Sequence, residues 1–357
     1  MPNKFPPEFE IPNDTQLQNL QYWAGHYLAK LDGITQILPD LDFFIFMYVR
    51  KEAALSSQIE GTKATMVDAI QADAKLSYGL PEDVSKIQHY IEAMNYGLKR
   101  LNSLPLSLRL IRETHAVLLS DPEDRRYTPG EFRKTQNWIG GATVETARFV
   151  PPPPYEMMKN LSDFELFLHS EDGLVPIIKA ALAHAQFETI HPFLDGNGRT
   201  GRLLITFYLC KLGVLEKPVL YLSEYFKKNR DVYFDLLHNY HQKGEIIPWV
   251  KFFMQGVSEV AKDAIETSKK INALREQDIL KIQSLRQSSE IGMKMLQKLY
   301  KLPIVDVNKI SEWSGYTRQG ADKLIKKLVK IGILEIKDQT KEYGRKYVYK
   351  KYLDIFK

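Results

Sequence analysis

Apolar residues recur three and four positions apart through most of the first 300 residues, and stretches that alternate apolar with polar residues are scarce. The first spacing places side chains on one face of an α-helix, whereas half-buried strands need the second. We therefore predict a mainly α protein. One helix is expected over residues 43–60 and ends at Gly61, because a residue without a Cβ suits a left-handed C-terminal cap. Further helices are predicted over residues 81–101, 107–119, 154–169 and 175–189.

One segment departs from the helical pattern. Residues 130–150 place β-forming residues around the pair Gly140 and Gly141, and four prolines follow at residues 151–154. Consecutive prolines form a stiff polyproline stretch. The segment is therefore predicted to be an irregular β-hairpin that ends in this stretch.

Composition excludes several classes of protein. The chain has 357 residues, is 44% hydrophobic and 26% charged, and is long enough for two or three globular domains. Its longest apolar stretches, residues 43–49 and 203–209, are much shorter than the ~20 residues that cross a bilayer. The first residues are polar and proline-rich, unlike a signal peptide. The single cysteine, Cys210, lies in an apolar helical run and has no internal disulfide partner. We expect it to be a buried thiol in a reducing cytoplasm.

Positive charge is concentrated at the C-terminal end. The net charge is +5, and residues 303–357 contain 13 Lys and Arg against 7 Asp and Glu. They follow a long charged helical pattern at residues 248–300, which is typical of a connector between modules. The pattern after it predicts a helix, a turn, a second helix and a two-stranded wing.

The second helix of this C-terminal segment is predicted over residues 317–331, with Thr317 as its N-cap and Gly332 as its stop. Its buried stripe would be Leu324, Ile325, Leu328 and Ile331. The exposed candidates for DNA contact are Arg318, Gln319, Lys323, Lys326, Lys327 and Lys330, with Lys341, Arg345 and Lys346 on the wing. Such a layout suits insertion into the major groove. A basic face on a protein-docking module is the alternative.

The most informative stretch is HPFLDGNGRTGR at residues 191–202. Its three glycines let backbone N–H groups approach a ligand closely. A helix begins inside the stretch, so its N-terminal N–H groups and positive dipole would favour an anion. Arg199 and Arg202 share a helix face and can each grip phosphate oxygens. Asp195 offers a hard oxygen ligand to Mg²⁺, and His191 can take a proton from an incoming hydroxyl.

A polar loop between two helices, with two surface arginines, is the structural alternative for this stretch. A potential base, a metal carboxylate, three glycines and two arginines converge within twelve residues, which favours a phosphate site. The stretch is not a P-loop, because G-x-x-x-x-G-K-[ST] is absent. It also does not follow a strand, as a dinucleotide-binding fingerprint would.

The stretch matches the pattern H-P-F-x-[DE]-G-N-G-R-x-x-R at every specified position, and the chain in this respect resembles the Fic family. The resemblance spans roughly residues 40–255 and includes the run YLSEYFKKNRDVYFDLL. It implies a mainly helical fold that transfers AMP from ATP to a protein hydroxyl. The residues that resemble the target-positioning flap of the family are Asn137, Trp138, Ile139 and Gly140.

The resemblance also implies a role for each residue of the motif. His191 would be the general base and Asp195 the Mg²⁺ ligand. The residues that would hold the α- and β-phosphates are Asn197 and the backbone of Gly196 and Gly198. The other ATP candidates are Arg199 and Arg202 for the β- and γ-phosphates, the motif residues Thr200 and Gly201, and Asn229 and Tyr233 for the nucleoside. A helix cap and a core tyrosine are alternative roles for the last two.

A second match lies upstream, where SSQIEG ends the first predicted helix at Gly61. It fits the pattern [ST]-x-x-x-E-[GN] of Fic proteins that carry an inhibitory helix. Ser56 and Glu60 are one turn apart and share a face. The resemblance implies that Glu60 pairs with Arg202 and occupies the guanidinium needed by the γ-phosphate. A frayed, solvated helix end is the alternative.

These interpretations divide the chain into four predicted segments. They are an N-terminal helical region at residues 1–105 with the inhibitory helix at about 43–61, a Fic core at 106–255, a helical linker at 256–302 and a winged helix at 303–357. The predicted function is an autoinhibited, Mg²⁺- and ATP-dependent protein adenylyltransferase of the cytoplasm. A homodimer is expected if the winged helix binds a palindrome. One alternative is a DNA-binding regulator whose Fic core senses nucleotide or only modifies itself, and another is a Fic enzyme with a different phosphate donor.

Overall fold

The computed structural model describes residue 5 and residues 14–37, 41–76, 79–171, 173–337 and 344–356. This part of the chain is mainly helical, as predicted. The first ten helices are α1 (Thr15–Ile37), α2 (Leu41–Ile59), α3 (Met66–Asp73), α4 (Val84–Arg100), α5 (Leu108–Leu118), α6 (Pro154–His169), α7 (Pro176–Ile190), α8 (Asn197–Lys211), α9 (Ser223–Lys228) and α10 (Arg230–Lys243). They are followed by α11 (Ile246–Gln283), α12 (Ser289–Lys301), α13 (Val307–Ser314), α14 (Arg318–Lys330) and α15 (Lys350–Asp354). None of these helices is long and apolar enough to cross a membrane.

Helix α7 is the centre of the core. Every residue from Ile177 to Ile190 is buried, including polar residues such as His184 and Glu188, so the helix leaves no face to solvent. Helices α8, α6 and α11 pack against it, and Trp249 of α11 donates a 2.8 Å hydrogen bond to the carbonyl of Ala181. The rigid α7 and α8 thereby fix the two ends of the loop at residues 191–196.

The predicted helix ends agree closely with the structure. The prediction for α6 was residues 154–169, and the helix is Pro154–His169. The predicted helix at 43–60 is α2, and Gly61 follows it with a φ of +98°. Helix α1 was not predicted, and it packs along α11.

The charged helical pattern at residues 248–300 forms two helices instead of one. Helix α11 ends at Gln283, Arg286 adopts a φ of +52°, and α12 begins at Ser289. A Cβ on Gly292 would lie 2.9 Å from the Ile282 side chain, so this glycine allows α12 to approach the end of α11. The helix propensity of residues 284–288 alone did not predict this break between α11 and α12.

The predicted hairpin at residues 130–150 is reduced to one antiparallel β-bridge, between Ile139 and Phe149. A short 3₁₀ turn, Val144–Thr146, lies between the two bridge residues. Gly141 has a φ of +78°, and a Cβ there would lie 2.3 Å from the Thr146 carbonyl oxygen. The close approach of the two backbones inside this flap therefore requires glycine.

The C-terminal module contains a three-stranded antiparallel sheet in the order β1 (Ile304–Val305), β3 (Tyr347–Val348) and β2 (Glu335–Ile336). Helices α13 and α14 lie between β1 and β2 in sequence, which agrees with the predicted helix, turn, helix and strand pair. Thr317 caps α14 through a 3.3 Å hydrogen bond from the backbone N–H of Gly320, and Gly332 follows with a φ of +70°.

This module contacts the N-terminal helices. The Tyr352 hydroxyl of α15 donates to the carbonyl of Phe43 on α2 at 3.5 Å. Tyr300, at the end of α12 just before the module, stacks its ring on Phe43 with centroids 5.5 Å apart. Lys337 donates a 2.7 Å hydrogen bond to Gln71 of α3, and Lys346 donates to the carbonyl of Leu76 at 3.2 Å. The predicted wing residue Lys346 therefore lies against the N-terminal region, and Lys341 lies outside the described residues.

Candidate active site

The candidate site is built on the loop between α7 and α8. His191 ends α7 in the left-handed region, with a φ of +47°, which turns the chain sharply away from the helix axis. Gly196 precedes α8 with a φ of +76°. The unpaired N–H groups of the first turn of α8 therefore border the loop, and they favour a negatively charged ligand.

Arg133 holds the backbone of this loop. Its guanidinium is buried, and its Nε–H donates to the carbonyl of His191 at 2.9 Å. Its backbone N–H donates to the carbonyl of Pro192 at 2.9 Å, and its Nη2 donates to that of Pro152. One buried side chain thus ties the flap segment to the residue that carries the predicted base.

His115 and Asn197 shape the remainder of the loop. The His115 ring stacks on Phe193 at 3.6 Å, accepts the N–H of Gly130 at Nδ1 and donates from Nε2 to the carbonyl of Asp195. Burial lowers the pKa of His115 to about 4, which keeps the ring neutral for this pair of bonds. The Asn197 amide accepts from the N–H of Phe193 at 2.9 Å and donates to its carbonyl at 2.8 Å. The Asn197 side chain therefore stabilises the loop itself.

The first turn of α8 opens into a cleft of about 510 Å³. The predicted site residues that line it are His191, Asp195, Gly196, Asn197, Gly198, Arg202, Tyr233, Glu60, Trp138, Ile139 and Gly140. Residues from α2, the flap segment and the motif therefore meet around one space, although they are far apart in sequence.

Glu60 enters this cleft from the end of α2. Its Oε1 accepts a hydrogen bond from Nη2 of Arg202 at 2.7 Å. Arg202 also donates from Nε to Oγ of Ser56 at 2.8 Å and from Nη2 to the Ser56 carbonyl at 3.0 Å. A Cβ on Gly198 would lie 2.3 Å from Oε1 of Glu60. The carboxylate thus lies against the first turn of α8, at the place where a helix N-terminus favours an anion.

Burial sets the charge of the groups around the cleft. It lowers the pKa of His191 to about 4, so the ring is neutral at pH 7 and can accept a proton. Burial opposes the charge of Arg202, but the adjacent Glu60 carboxylate raises the pKa of Arg202 above its ordinary value. Burial also raises the pKa of Glu188 to about 8, and its Oε2 lies 3.8 Å from Nδ1 of His191.

Four predicted ATP residues do not line the cleft: Arg199, Thr200, Gly201 and Asn229. Arg199 is buried, with Nη2 3.8 Å from Oδ2 of Asp195. Among the described residues its Nε and Nη1 have no hydrogen-bond partner. Its role in ATP binding stays a prediction.

Each of the other three has a local structural contact. Thr200 donates to the carbonyl of Gly196 at 2.8 Å, and Asn229 donates to that of Tyr225 at 3.0 Å between α9 and α10. Gly201 accepts a 3.0 Å hydrogen bond from Nδ1–H of His184 at its carbonyl.

Tyr233 combines a core position with a place in the cleft wall. It is buried, and its hydroxyl lies 2.9 Å from Nε2 of His184. Since Nδ1 of His184 donates to Gly201, Nε2 accepts from the tyrosine. The ring of Tyr233 nevertheless borders the cleft, so both roles considered for this residue fit its position.

The flap closes one side of the cleft. Trp138 is 41% exposed at its rim, and the Asn137 amide donates to the Phe193 carbonyl at 3.0 Å. At the far end of the flap, the ring of Phe149 stacks on His241 of α10 at 4.4 Å. The flap is therefore attached both to the motif loop and to α10.

The sequence also matches the profiles of a known protein family over several of the helices that form this cleft. The Fic/DOC family profile matches residues 105–209, and the Fic/DOC family N-terminal profile matches residues 20–99. Together the two matches cover more than half of the chain. The chain belongs to the Fic/DOC family.

Curated Fic relatives are similar over part of the chain. Proteins named protein adenylyltransferase Fic from Drosophila grimshawi and Drosophila virilis are each 34% identical to it over 205 residues. The match covers 54% of this chain and 38% of each relative. The chain thus matches well under half of the length of these relatives.

Solved Fic structures share the fold. A Fic family protein from Desulfovibrio desulfuricans G20 has a TM-score of 0.62 at 18% identity, and the match covers 96% of this chain and 98% of that one. A Fic domain containing signaling protein from Bacteroides thetaiotaomicron VPI-5482 has a TM-score of 0.55 at 21% identity, covering 71% of this chain and 97% of that one. The first match includes most of the C-terminal module, so the arrangement of the whole chain has a precedent.

Asp195 is the single carboxylate in the sequence of the Fic motif, and it lies close to solvent. Its side chain is 45% exposed and borders the cleft, and its Oδ1 accepts the N–H of Gly196 at 2.7 Å. The described residues contain no group of three or more His, Cys, Asp and Glu suited to a metal. One exposed carboxylate beside a helix N-terminus that favours anions fits Mg²⁺, which commonly binds one or two carboxylates together with substrate phosphates.

Glu52 contributes a polar contact that the sequence analysis missed. This residue of α2 is buried, and its Oε1 accepts from the Tyr90 hydroxyl at 3.0 Å and from the Ser223 hydroxyl at 2.5 Å. Glu52 lies one turn before Ser56 on the same helix face. It thereby attaches α2 to α4 and α9 close to Arg202.

The candidates for DNA contact are on the exposed side of α14. Arg318, Gln319, Lys323, Lys326 and Lys327 are all exposed. Two of them have protein partners, since Lys326 lies 2.7 Å from Asp322 and Lys327 donates to Ser288 at 2.7 Å. A free basic face is therefore smaller than the sequence suggested.

Proposed function

We propose that this chain is a protein adenylyltransferase that transfers AMP from ATP to a Ser, Thr or Tyr hydroxyl of a target protein. The proposal is supported by the names of its curated relatives and by the neutral His191 at the edge of a helix N-terminus that attracts anions. A site that only bound nucleotide would have no use for a base at this position.

In the proposed reaction the target hydroxyl oxygen attacks the α-phosphorus of ATP. A new P–O bond forms, the bond to the oxygen that bridges to the β-phosphate breaks, and pyrophosphate leaves. His191 accepts the proton of the hydroxyl, which its low pKa leaves it free to do at pH 7. The N–H groups of α8 and the Arg202 guanidinium stabilise the charge on the leaving pyrophosphate.

Asp195 is the proposed ligand for Mg²⁺, together with phosphate oxygens of the nucleotide. When bound, the ion would neutralise phosphate charge and fix the phosphates in position. The exposure of the carboxylate at the cleft wall supports this assignment.

We further propose that Glu60 inhibits the enzyme. The observation that carries this proposal is that one carboxylate contacts both Arg202 and Gly198. Arg202 would hold the β- and γ-phosphates and the Gly198 backbone the α- and β-phosphates, so Glu60 and a correctly aligned ATP compete for this surface. Ser56 supports the same arrangement by accepting two hydrogen bonds from Arg202.

The test measures transfer of radioactive AMP from α-³²P-ATP to protein in the presence of Mg²⁺, both in buffer and in cell lysate. It compares the unmodified protein with Glu60→Gly and His191→Ala. We expect protein labelling that increases in Glu60→Gly and disappears in His191→Ala, which should still bind ATP. Loss of the base should reduce the rate by about 10² to 10⁴-fold. Full labelling by His191→Ala would reject the base. Equal labelling by the unmodified protein and Glu60→Gly would reject the inhibition, and no label from any variant would favour another donor or a nucleotide-sensing regulator.

The C-terminal module is proposed to select a target or a DNA site. The exposed Arg318, Gln319 and Lys323 of α14 support contact with an acidic partner such as duplex DNA. Steep dependence of duplex binding on salt concentration is the expected signature.

A further inference from the structure

Glu188 lies directly behind His191, one turn earlier on α7. Its Oε2 is 3.8 Å from Nδ1 of His191, and both side chains are largely buried. Nδ1 of His191 and Oε1 of Glu188 are buried, and neither has a partner in good hydrogen-bond geometry within the described part of the chain. The backbone carbonyl of Glu188 is a second acceptor close to His191. Buried polar atoms are normally paired. Oε2 of Glu188, the carboxyl oxygen 3.8 Å from Nδ1 of His191, is therefore one short movement from a hydrogen bond with it.

The motif makes room for this carboxyl group. A Cβ on Gly201 would lie 2.4 Å from Oε1 of Glu188. A side chain at position 201 would therefore displace the carboxyl from its place beside α8. This contact gives Gly201 a function in the site although it does not line the cleft.

We propose that Glu188 is a positioning residue that accepts a hydrogen bond from Nδ1–H of His191 and thereby keeps the lone pair of Nε2 directed toward the cleft. The inference rests on the proposed transfer reaction. A neutral imidazole has one N–H and one lone pair, and the partner of one nitrogen decides which nitrogen can act as the base. With Nδ1–H bonded to Glu188, Nε2 takes the proton of the target hydroxyl. The imidazolium that forms is then stabilised by the same carboxyl group.

The surroundings of Glu188 determine how this support varies with pH. Among the described residues, titratable groups near it are Arg202 from α8, Glu60 from α2, Tyr233 from α10 and His184 from its own helix, whose ring lies beside Gly201 together with the Glu188 carboxyl group. Burial raises the pKa of Glu188 to about 8, and Arg202 opposes this shift. An ionised carboxylate stabilises an imidazolium better than the neutral acid does, so the transfer rate should rise as pH increases through about 8.

The kinetic test uses Glu60→Gly as the background and measures AMP transfer against ATP concentration and pH. Glu188→Leu should lower kcat by roughly 10 to 100-fold with the KM for ATP unchanged. Glu188→Gln, whose amide oxygen still accepts from Nδ1–H, should keep most of the rate but lose the rise near pH 8. Glu165→Gln is the matched control, since this carboxyl accepts from the N–H of Leu108, outside the cleft. An unchanged kcat in Glu188→Leu, or a rise in KM alone, would overturn the proposal.

A second measurement does not depend on turnover. The ¹⁵N spectrum of histidine-labelled protein reports which ring nitrogen carries hydrogen, and the signals of His191 are those lost in His191→Ala. We expect the Nδ1–H form in the parent and in Glu188→Gln, and a mixture of both forms in Glu188→Leu. The same Nδ1–H form in all three would refute the proposal even if AMP transfer were established. The predicted change of form, with no AMP transfer by any variant, would support the positioning role and reject the proposed reaction.

Discussion

Replacement of Glu60 by glycine removes the carboxylate that lies against Arg202 and Gly198, and its effect on ATP affinity follows from the geometry. The lost contact is one charge-assisted hydrogen bond of 2.7 Å, and such bonds contribute roughly 1.5 to 3 kcal/mol. The Glu60 side chain is 41% exposed, whereas that of Arg202 is only 2% exposed. Solvent screening on the glutamate side reduces the contribution to about 1 to 2 kcal/mol. If ATP must displace this contact, its affinity should increase by roughly 5 to 30-fold in Glu60→Gly, since 1.4 kcal/mol is tenfold.

Isothermal titration calorimetry with ATP and Mg²⁺ measures this change directly. Glu60→Gln keeps the shape of the side chain without its charge and should show an intermediate gain. Glu276→Gln, at an exposed position of α11, is the control for loss of one negative charge. The reasoning is refuted if Glu60→Gly and the unmodified protein bind ATP with affinities within a factor of two.

Three further predictions concern stability and the C-terminal module. Arg133→Met should lower the free energy of unfolding by roughly 3 kcal/mol in urea titrations, because the carbonyls of His191 and Pro152 lose their hydrogen-bond donor. A loss below about 1 kcal/mol would show that Arg133 does not hold the loop. Acidification from pH 6.5 toward 4 should destabilise the fold by up to about 1.4 kcal/mol per pH unit for each of four histidines. Desolvation lowers their pKa values in the folded state, so the unfolded chain binds more protons over this range. The four histidines are His115, His184, His191 and His241. Equal urea midpoints at pH 7 and 5.5 would refute this. Finally, Lys323→Ala should lower the magnitude of the slope of log binding constant against log salt concentration for duplex DNA by about 0.9. Lys326→Ala should lower this magnitude by less, because Lys326 pairs with Asp322. Absence of duplex binding at low salt would exclude DNA recognition.

The sequence predicted those parts of the structure that depend on local pattern. Helix α6 was predicted with both of its ends, and Gly61 was predicted as the stop of α2, because spacing and helix-end residues act within a few positions. Helix α1 was missed because its buried residues Leu17, Ala24 and Leu28 are interspersed with the exposed Tyr22 and Trp23. Its burial depends on α11, more than 200 residues later.

The same distinction holds for the candidate site. The twelve-residue motif could be recognised in the sequence because its residues are contiguous and lie on one loop. The contribution of His115 could not be recognised, since its partner Asp195 is 80 positions away. Arg133 binds mainly backbone carbonyls, which leave no pattern in the sequence. Glu188 had a weak signal, because a carboxyl group one helical turn before the proposed catalytic base, His191, is close enough to contact it.

The pairing of Glu60 with Arg202 has a consequence for how inhibition would depend on concentration. The carboxylate belongs to the same chain as the guanidinium, so it is a tethered ligand that is never lost to bulk solvent. Groups tethered in this way act at effective concentrations on the order of millimolar or more, and dilution of the protein does not change them. The inhibited fraction would therefore be the same in a cell that contains few copies of the protein and in one that contains many. The inhibited fraction would change only with the nucleotide concentration, relative to the fixed effective concentration of the Glu60 carboxylate.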